Sequence, residues 1–343
     1  MTREAAAPEG GAPVIVLGVS RSGTTLLKEM LDRHSELAVP SESYFIPQLW
    51  DRHGLRPDAE AILADLGRLA RVREWGVTPD DVRRRLAPDP SFPEVIAAVY
   101  GAYAGSRGKL RFGDKTPAYM QRLDLLERVF PRAQYVHIVR DGRDAMLSFA
   151  AMRRRPRFNW ARPRGVGDFA CHWHFEIRAA RRLGETVGRG RYLELRYEDL
   201  VAEPERTLRE VCAFAGLGYE PEMLEYHHGV DASTLEDHPR LAQPPTAGVR
   251  DWREQMGPRD VEHFEAIAGS TLEELGYPRA YPAPSTAARA RAVLEAAAFR
   301  ARSKSWHAAL AFVRRSPAWR LRQIHIRRTS PAADPGGADR ALR

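Results

Sequence analysis

Cysteine is nearly absent: the 343 residues contain two, Cys171 and Cys212. They form no CxxC pair and no zinc-finger spacing, which argues against a disulfide framework or a zinc site and fits a reducing cytosol. Long apolar runs are missing as well. The longest near the start, Val14-Ile15-Val16-Leu17, is strand-sized and far short of the ~18 residues that span a bilayer. The opening MTREAAAPEGGAP has no basic region followed by an apolar one, so the expected location is cytoplasmic. Acidic residues are scarce in one place only. From Ala283 onward there are thirteen Arg/Lys and three acids, a net of +10 against +8 for the whole chain, which leaves −2 for the rest. The excess charge therefore belongs to the tail, and the high isoelectric point does not make the main body a nucleic-acid binder.

Strand and helix signals alternate along the chain. Strands are expected at Pro13–Gly18, Ala133–Val139 and Arg191–Leu195, and helices after Thr25, from about Asp144, around Phe169–Gly184 and over Pro204–Ala215. This order predicts an α/β fold, a P-loop-like three-layer sandwich whose central parallel sheet is flanked by helices. Residues 1–12 read as a disordered N-terminus, 13–282 as the main domain, 283–329 as a basic amphipathic helical extension broken near Ser316-Pro317, and 330–343 as a disordered tail.

The strongest local signal is Gly18-Val19-Ser20-Arg21-Ser22-Gly23-Thr24-Thr25, directly after a strand and before a helix. Backbone N–H groups of such a loop converge on a phosphate, and the helix N-terminus adds partial positive charge. A nucleotide kinase would carry Lys at position 24; this chain has Thr24 and places its cation inside the loop as Arg21. A triphosphate needs Lys and Mg²⁺ together, whereas a sulfuryl group carries one negative charge and needs no divalent ion. A second anion site is expected at Arg140, at the carboxyl end of a strand, with Ser148 eight residues on. The alternative there is a surface Arg paired with Asp141 or Asp144.

Together these motifs resemble the PAPS-dependent sulfotransferases, PAPS being 3′-phosphoadenosine 5′-phosphosulfate. Arg21-Ser22-Gly23-Thr24-Thr25 resembles their 5′-phosphosulfate loop, and Arg140 with Ser148 their 3′-phosphate motif. Arg196-Tyr197-Glu198-Asp199-Leu200 is similar to the segment that brings a Tyr near the nucleotide, and Thr246–Gly257, with Trp252-Arg253, to a late loop that closes over it. In motif type the chain resembles bacterial relatives of the tyrosylprotein and Golgi carbohydrate enzymes. That resemblance implies a Glu base about twenty residues beyond the loop, which Glu42 matches, and a Lys touching the sulfuryl group or the acceptor, which Lys115 matches. It implies PAPS as co-substrate, PAP as product and no metal.

Alternatives stand beside several of these residues. Glu42 could instead sit in the first turn of a helix capped by Ser41. Lys115, before Thr-Pro, is expected in an extended loop, with Asp114 holding it or serving as a second base. His137 reads as a core histidine, and His172 and His174 do not share a helical face. The basic, aromatic loop from Arg153 to Arg164, around Phe158-Asn159-Trp160, is either an attractor of anionic acceptors or a solvated loop. In the tail, Val293, Leu294 and Phe299, then Trp306, Leu310 and Val313, lie on an Arg-rich background, so the helix either packs on the domain or lies on an anionic membrane. The expected partner is a small-molecule, glycan or lipid acceptor, with no nucleic acid. A homodimer or a peripheral contact with the inner membrane face is open. The competing functions are a P-loop kinase or NTPase, and a non-catalytic anion- or membrane-binding protein.

Overall fold

A computed structural model describes residues 11–152, 163–230, 234, 238–246 and 248–315. Five parallel strands form its sheet: β1 (Val14–Leu17), β2 (Leu37–Ala38), β3 (Arg111–Lys115), β4 (Gln134–Val139) and β5 (Tyr192–Arg196), in the spatial order β2-β3-β1-β4-β5. β1 is central, with Val16 opposite Lys115 on one side and Val136 on the other.

Alternation along β1 separates the two layers, because successive side chains of a strand point to opposite faces. Ile15 and Leu17 join a core built on the helix Phe92–Ser106, whereas Val14 and Val16 join one built on Thr24–Asp32 and Pro204–Ala215. The helix Phe92–Ser106 starts where a Ser91/Glu94 capping box satisfies its first N–H groups. Pro204–Ala215 stops at Gly216, whose φ of +70° ends the helix at the position the glycine predicts.

Two strands escaped the sequence reading. β3 reads Arg-Phe-Gly-Asp-Lys and shows no apolar alternation, yet every residue of it is buried. Its polar side chains are satisfied internally: Arg111 donates to the carbonyls of Ala12 (2.5 Å) and Ala215 (2.6 Å) and to Gln134 Oε1 (2.6 Å). Lys115 therefore ends a strand rather than lying in a loop. The helix after β4 begins at Gly142, capped by Asp141, which accepts from the Arg143 N–H (2.9 Å).

The long helix Thr286–Arg315 packs on Val166–Val187 and Pro258–Glu274. Phe299 stacks on Phe175 with centroids 5.7 Å apart, His263 Nε2 lies 2.7 Å from Glu295, and Arg302 pairs with Asp168. Ala292 is buried on the inner face, while Val293 and Leu294, expected on the apolar side, are about 70% exposed. The Trp306, Leu310 and Val313 side chains, the Ser316-Pro317 break, the rest of the tail and residues 153–162 of the basic loop lie outside the described residues.

Candidate active site

The loop after β1 closes with Ser22 N–H donating to the Val19 carbonyl (3.1 Å), and Gly23 at φ +91° caps the helix Thr24–Asp32. Glycine is required twice. A Cβ on Gly18 would lie 2.8 Å from the Ile138 carbonyl, and one on Gly23 would lie 2.3 Å from Tyr197 Cδ2. Arg21 takes φ +75°, a conformation L side chains rarely adopt. From there its Nε donates to Ser148 Oγ (3.1 Å), and its Nη1 lies 3.2 Å from His238 Nδ1.

Arg140 leaves the end of β4 toward the same loop. Its Nη1 donates to the Arg21 carbonyl (3.2 Å), and its guanidinium lies 4.5 Å from the Tyr197 ring centroid. The alternative pairing with Asp141 or Asp144 is not what holds it, since Asp141 is taken by Arg143 (2.7 Å) and Asp144 accepts from the Trp252 N–H (2.9 Å). Ser22 Oγ and Arg140 Nε are buried and have no hydrogen-bond partner among the described residues. Unpaired buried donors of this kind are costly, and a phosphate-bearing ligand is the group that two such donors beside a glycine loop fit.

Glu42 sits between β2 and the helix Ile46–His53, whose N-cap is Phe45, so it belongs to no helical turn; Ser41 Oγ accepts from Trp75 Nε1 (3.0 Å) instead of capping. Lys115 Nζ reaches Glu42 Oε1 at 2.6 Å and Thr25 Oγ1 at 3.3 Å, which joins the acid to the loop. Tyr44 O–H donates to the other Glu42 oxygen. Asp114 does not hold Lys115. Its Oδ2 accepts from Tyr100 O–H (2.6 Å) and Ser43 Oγ (3.0 Å), and burial pushes its carboxyl up to about 6. Strand alternation sends the two neighbours to opposite faces.

His238 is a site residue that sequence reasoning missed. Burial, then the charges of Arg21 and Lys115, push it down to about 4, so it stays neutral at pH 7. It lies in an irregular segment before Pro239, with no periodicity or motif to mark it. Trp252 and Arg253 stand apart from this cluster. The Trp252 N–H donates to Asp144 Oδ1 (2.9 Å), and its ring covers the buried Arg143 at 3.6 Å. Arg253 is exposed over the same ring. No hydrogen bond or ring contact joins either to the loop or to Arg140 among the described residues. His137 is a core residue, with Nδ1 2.7 Å from Tyr192 O–H. No group of three His, Cys, Asp or Glu able to hold a metal ion occurs among the described residues, and no helix there is long and apolar enough to cross a membrane.

Known proteins resemble this chain in sequence and fold. The chain is 26% identical over 274 residues to the protein-tyrosine sulfotransferase of Drosophila melanogaster, covering 77% of this chain and 51% of that one. It is 26% identical over 296 residues to the nodulation protein NoeE of Sinorhizobium fredii, covering 76% and 65%. The chain thus spans about half the length of some curated relatives it matches. The sulfotransferase domain of a Synechococcus PCC 7002 olefin synthase superposes with a TM-score of 0.56 and 25% identity, over 81% of this chain and 98% of that domain. The pattern described as the sulfotransferase family matches residues 13–221, well over half of the chain. On that match, together with the parallel sheet and its loop, the chain belongs to the sulfotransferase family.

Proposed function

We propose that this protein transfers a sulfuryl group from PAPS to a hydroxyl of a small-molecule, glycan or lipid acceptor. One observation carries the reading: Arg21 bonds Ser148, Arg140 bonds the Arg21 carbonyl, and beside them a Lys115–Glu42 pair touches the loop at Thr25. Arg21 and Ser22 would hold the 5′-phosphosulfate, and Arg140 and Ser148 the 3′-phosphate, with Tyr197 packed against Gly23 and Arg140. When bound, PAPS supplies the activated sulfuryl group and a phosphate leaving group.

The residues of the chain supply the rest. Glu42 takes the acceptor proton, a contribution worth about 10²–10⁴-fold in rate. Arg21 and Lys115 lie where negative charge develops on the sulfuryl oxygens and the leaving phosphate; losing one such group typically costs about 2.7–4 kcal/mol. Thr24, which stands where a kinase has Lys, has its methyl beneath Gly18. His238 supports a second reading of the proton acceptor, because a neutral imidazole beside Arg21 can also accept. Trp252 and Arg253 would close over the nucleotide from the root of the Gly142–Ala150 helix, and that placement rests on the resemblance alone.

The test is calorimetric titration with 3′,5′-ADP (PAP) in EDTA, against ATP–Mg²⁺, followed by Glu42→Gln and His238→Gln in PAPS turnover with a panel of hydroxyl acceptors. Metal-independent PAP binding is expected, with turnover lost in Glu42→Gln and PAP affinity retained. Preference for ATP–Mg²⁺ would restore the kinase reading. Turnover surviving in Glu42→Gln but lost in His238→Gln would move the base to His238.

A further inference from the structure

We propose that Tyr44 occupies the position of the acceptor hydroxyl and is itself a sulfuryl acceptor, a self-sulfation site. The inference rests on the reading of the donor site and Glu42 given above. Its neighbours fix Tyr44 in place. Ser43 is 2% exposed; its N–H donates to Thr116 Oγ1 (3.0 Å), and its hydroxyl lies 2.6 Å from Tyr119 O–H. Phe45 is 1% exposed and meets Trp75 edge-on at 5.5 Å. Between these two anchors Tyr44 takes φ +56°. L side chains rarely adopt that conformation, which is strained for a non-glycine residue.

Burial of its own ring does not account for the strain, since Tyr44 is 42% exposed. What the turn achieves is placement. The Tyr44 O–H donates to Glu42 Oε2, while Glu42 Oε1 lies 2.6 Å from Lys115 Nζ, and Lys115 Nζ lies 3.3 Å from Thr25 Oγ1. A phenol is therefore hydrogen-bonded to the proposed base, which is the relation an acceptor hydroxyl must have to it.

The step balances with PAPS as the co-reactant. Tyr44 Oη forms the new S–O bond, and the bond from sulfur to the bridging oxygen of the phosphosulfate breaks. The phenolic proton passes to Glu42 Oε2, and the electron pair leaves on the 5′-phosphate of PAP. The product is a fixed negative charge beside Glu42, which repels the carboxylate and fills the acceptor position. Self-sulfation would thus be self-limiting, and a free acceptor would compete with it.

The test uses the full chain incubated with PAPS and no added acceptor, read by intact-mass spectrometry and peptide mapping. A single SO₃ adduct at Tyr44 is expected. It should be absent from Tyr44→Phe and about 10²-fold slower to form in Glu42→Gln, while calorimetry shows both variants binding PAP as the wild type does. Adducts confined to other tyrosines, or no adduct on a protein that binds PAP, overturn the proposal and leave the donor reading standing. A wild-type protein that binds no PAP overturns both.

Discussion

Arg140→Ala is the sharpest perturbation of the proposed donor site. Arg140 is 7% exposed, with Nε unpartnered and Nη1 on the Arg21 carbonyl. A guanidinium so placed can fork a phosphate bidentately. Truncating one partner of a buried, hydrogen-bonded charge pair costs about 2–5 kcal/mol. Taking about 3 kcal/mol, PAP affinity should fall about 150-fold, at 1.36 kcal/mol per decade. The same variant should lose less toward 5′-AMP, which lacks only the 3′-phosphate, because the remaining effect is one hydrogen bond from the guanidinium to the Arg21 carbonyl and one ring contact. Calorimetry with both nucleotides on both proteins closes the cycle. Equal losses for PAP and 5′-AMP would refute the reasoning and recast Arg140 as a brace for the loop. An unchanged PAP affinity would remove Arg140 from the site.

Gly23→Ala should lose at least about tenfold in PAP affinity, since φ +91° and a Cβ 2.3 Å from Tyr197 Cδ2 force the loop to move; normal binding in calorimetry would contradict the cradle. Asp114 rises from 3.8 to about 6 on folding, so the folded state binds more protons between those values. Its contribution to stability is therefore present below pH 3.8 and lost as pH rises through 6, by about 3 kcal/mol. Denaturation curves of wild type and Asp114→Asn across that window should diverge accordingly, and parallel curves would show that Asp114 does not titrate there. Phe299→Ala should cost about 1.5 kcal/mol in urea unfolding through the lost stack on Phe175; no change would mean the stack contributes nothing to the stability of the domain.

Local encoding explains which parts were legible. The strand, loop and helix from Val14 to Asp32 are contiguous, and so are β4, Arg140 and the helix to Ser148. A strand–loop–helix turn is a property of neighbouring residues, so spacing alone could point to it. β3 was illegible because its polar residues are paid for by partners as distant as Ala12 and Ala215. The same dependence on distant partners hid Asp114, whose buried Oδ2 accepts from Tyr100 and Ser43 rather than from its neighbour Lys115.

The amino-acid sequence by itself determined the α/β class and the strand–loop–helix context of the two proposed phosphate motifs, and it offered Glu42 as a candidate base. Tertiary structure decided which of those residues meet. Placing β3 and β4 on either side of β1 brings Lys115 and Arg140 to the carboxyl ends of the two strands that flank β1, on opposite sides of the loop. It also brings His238 to Arg21 and Glu42 to Lys115. These contacts join segments dozens to more than two hundred residues apart, and spacing along a chain carries no information about pairing at that range.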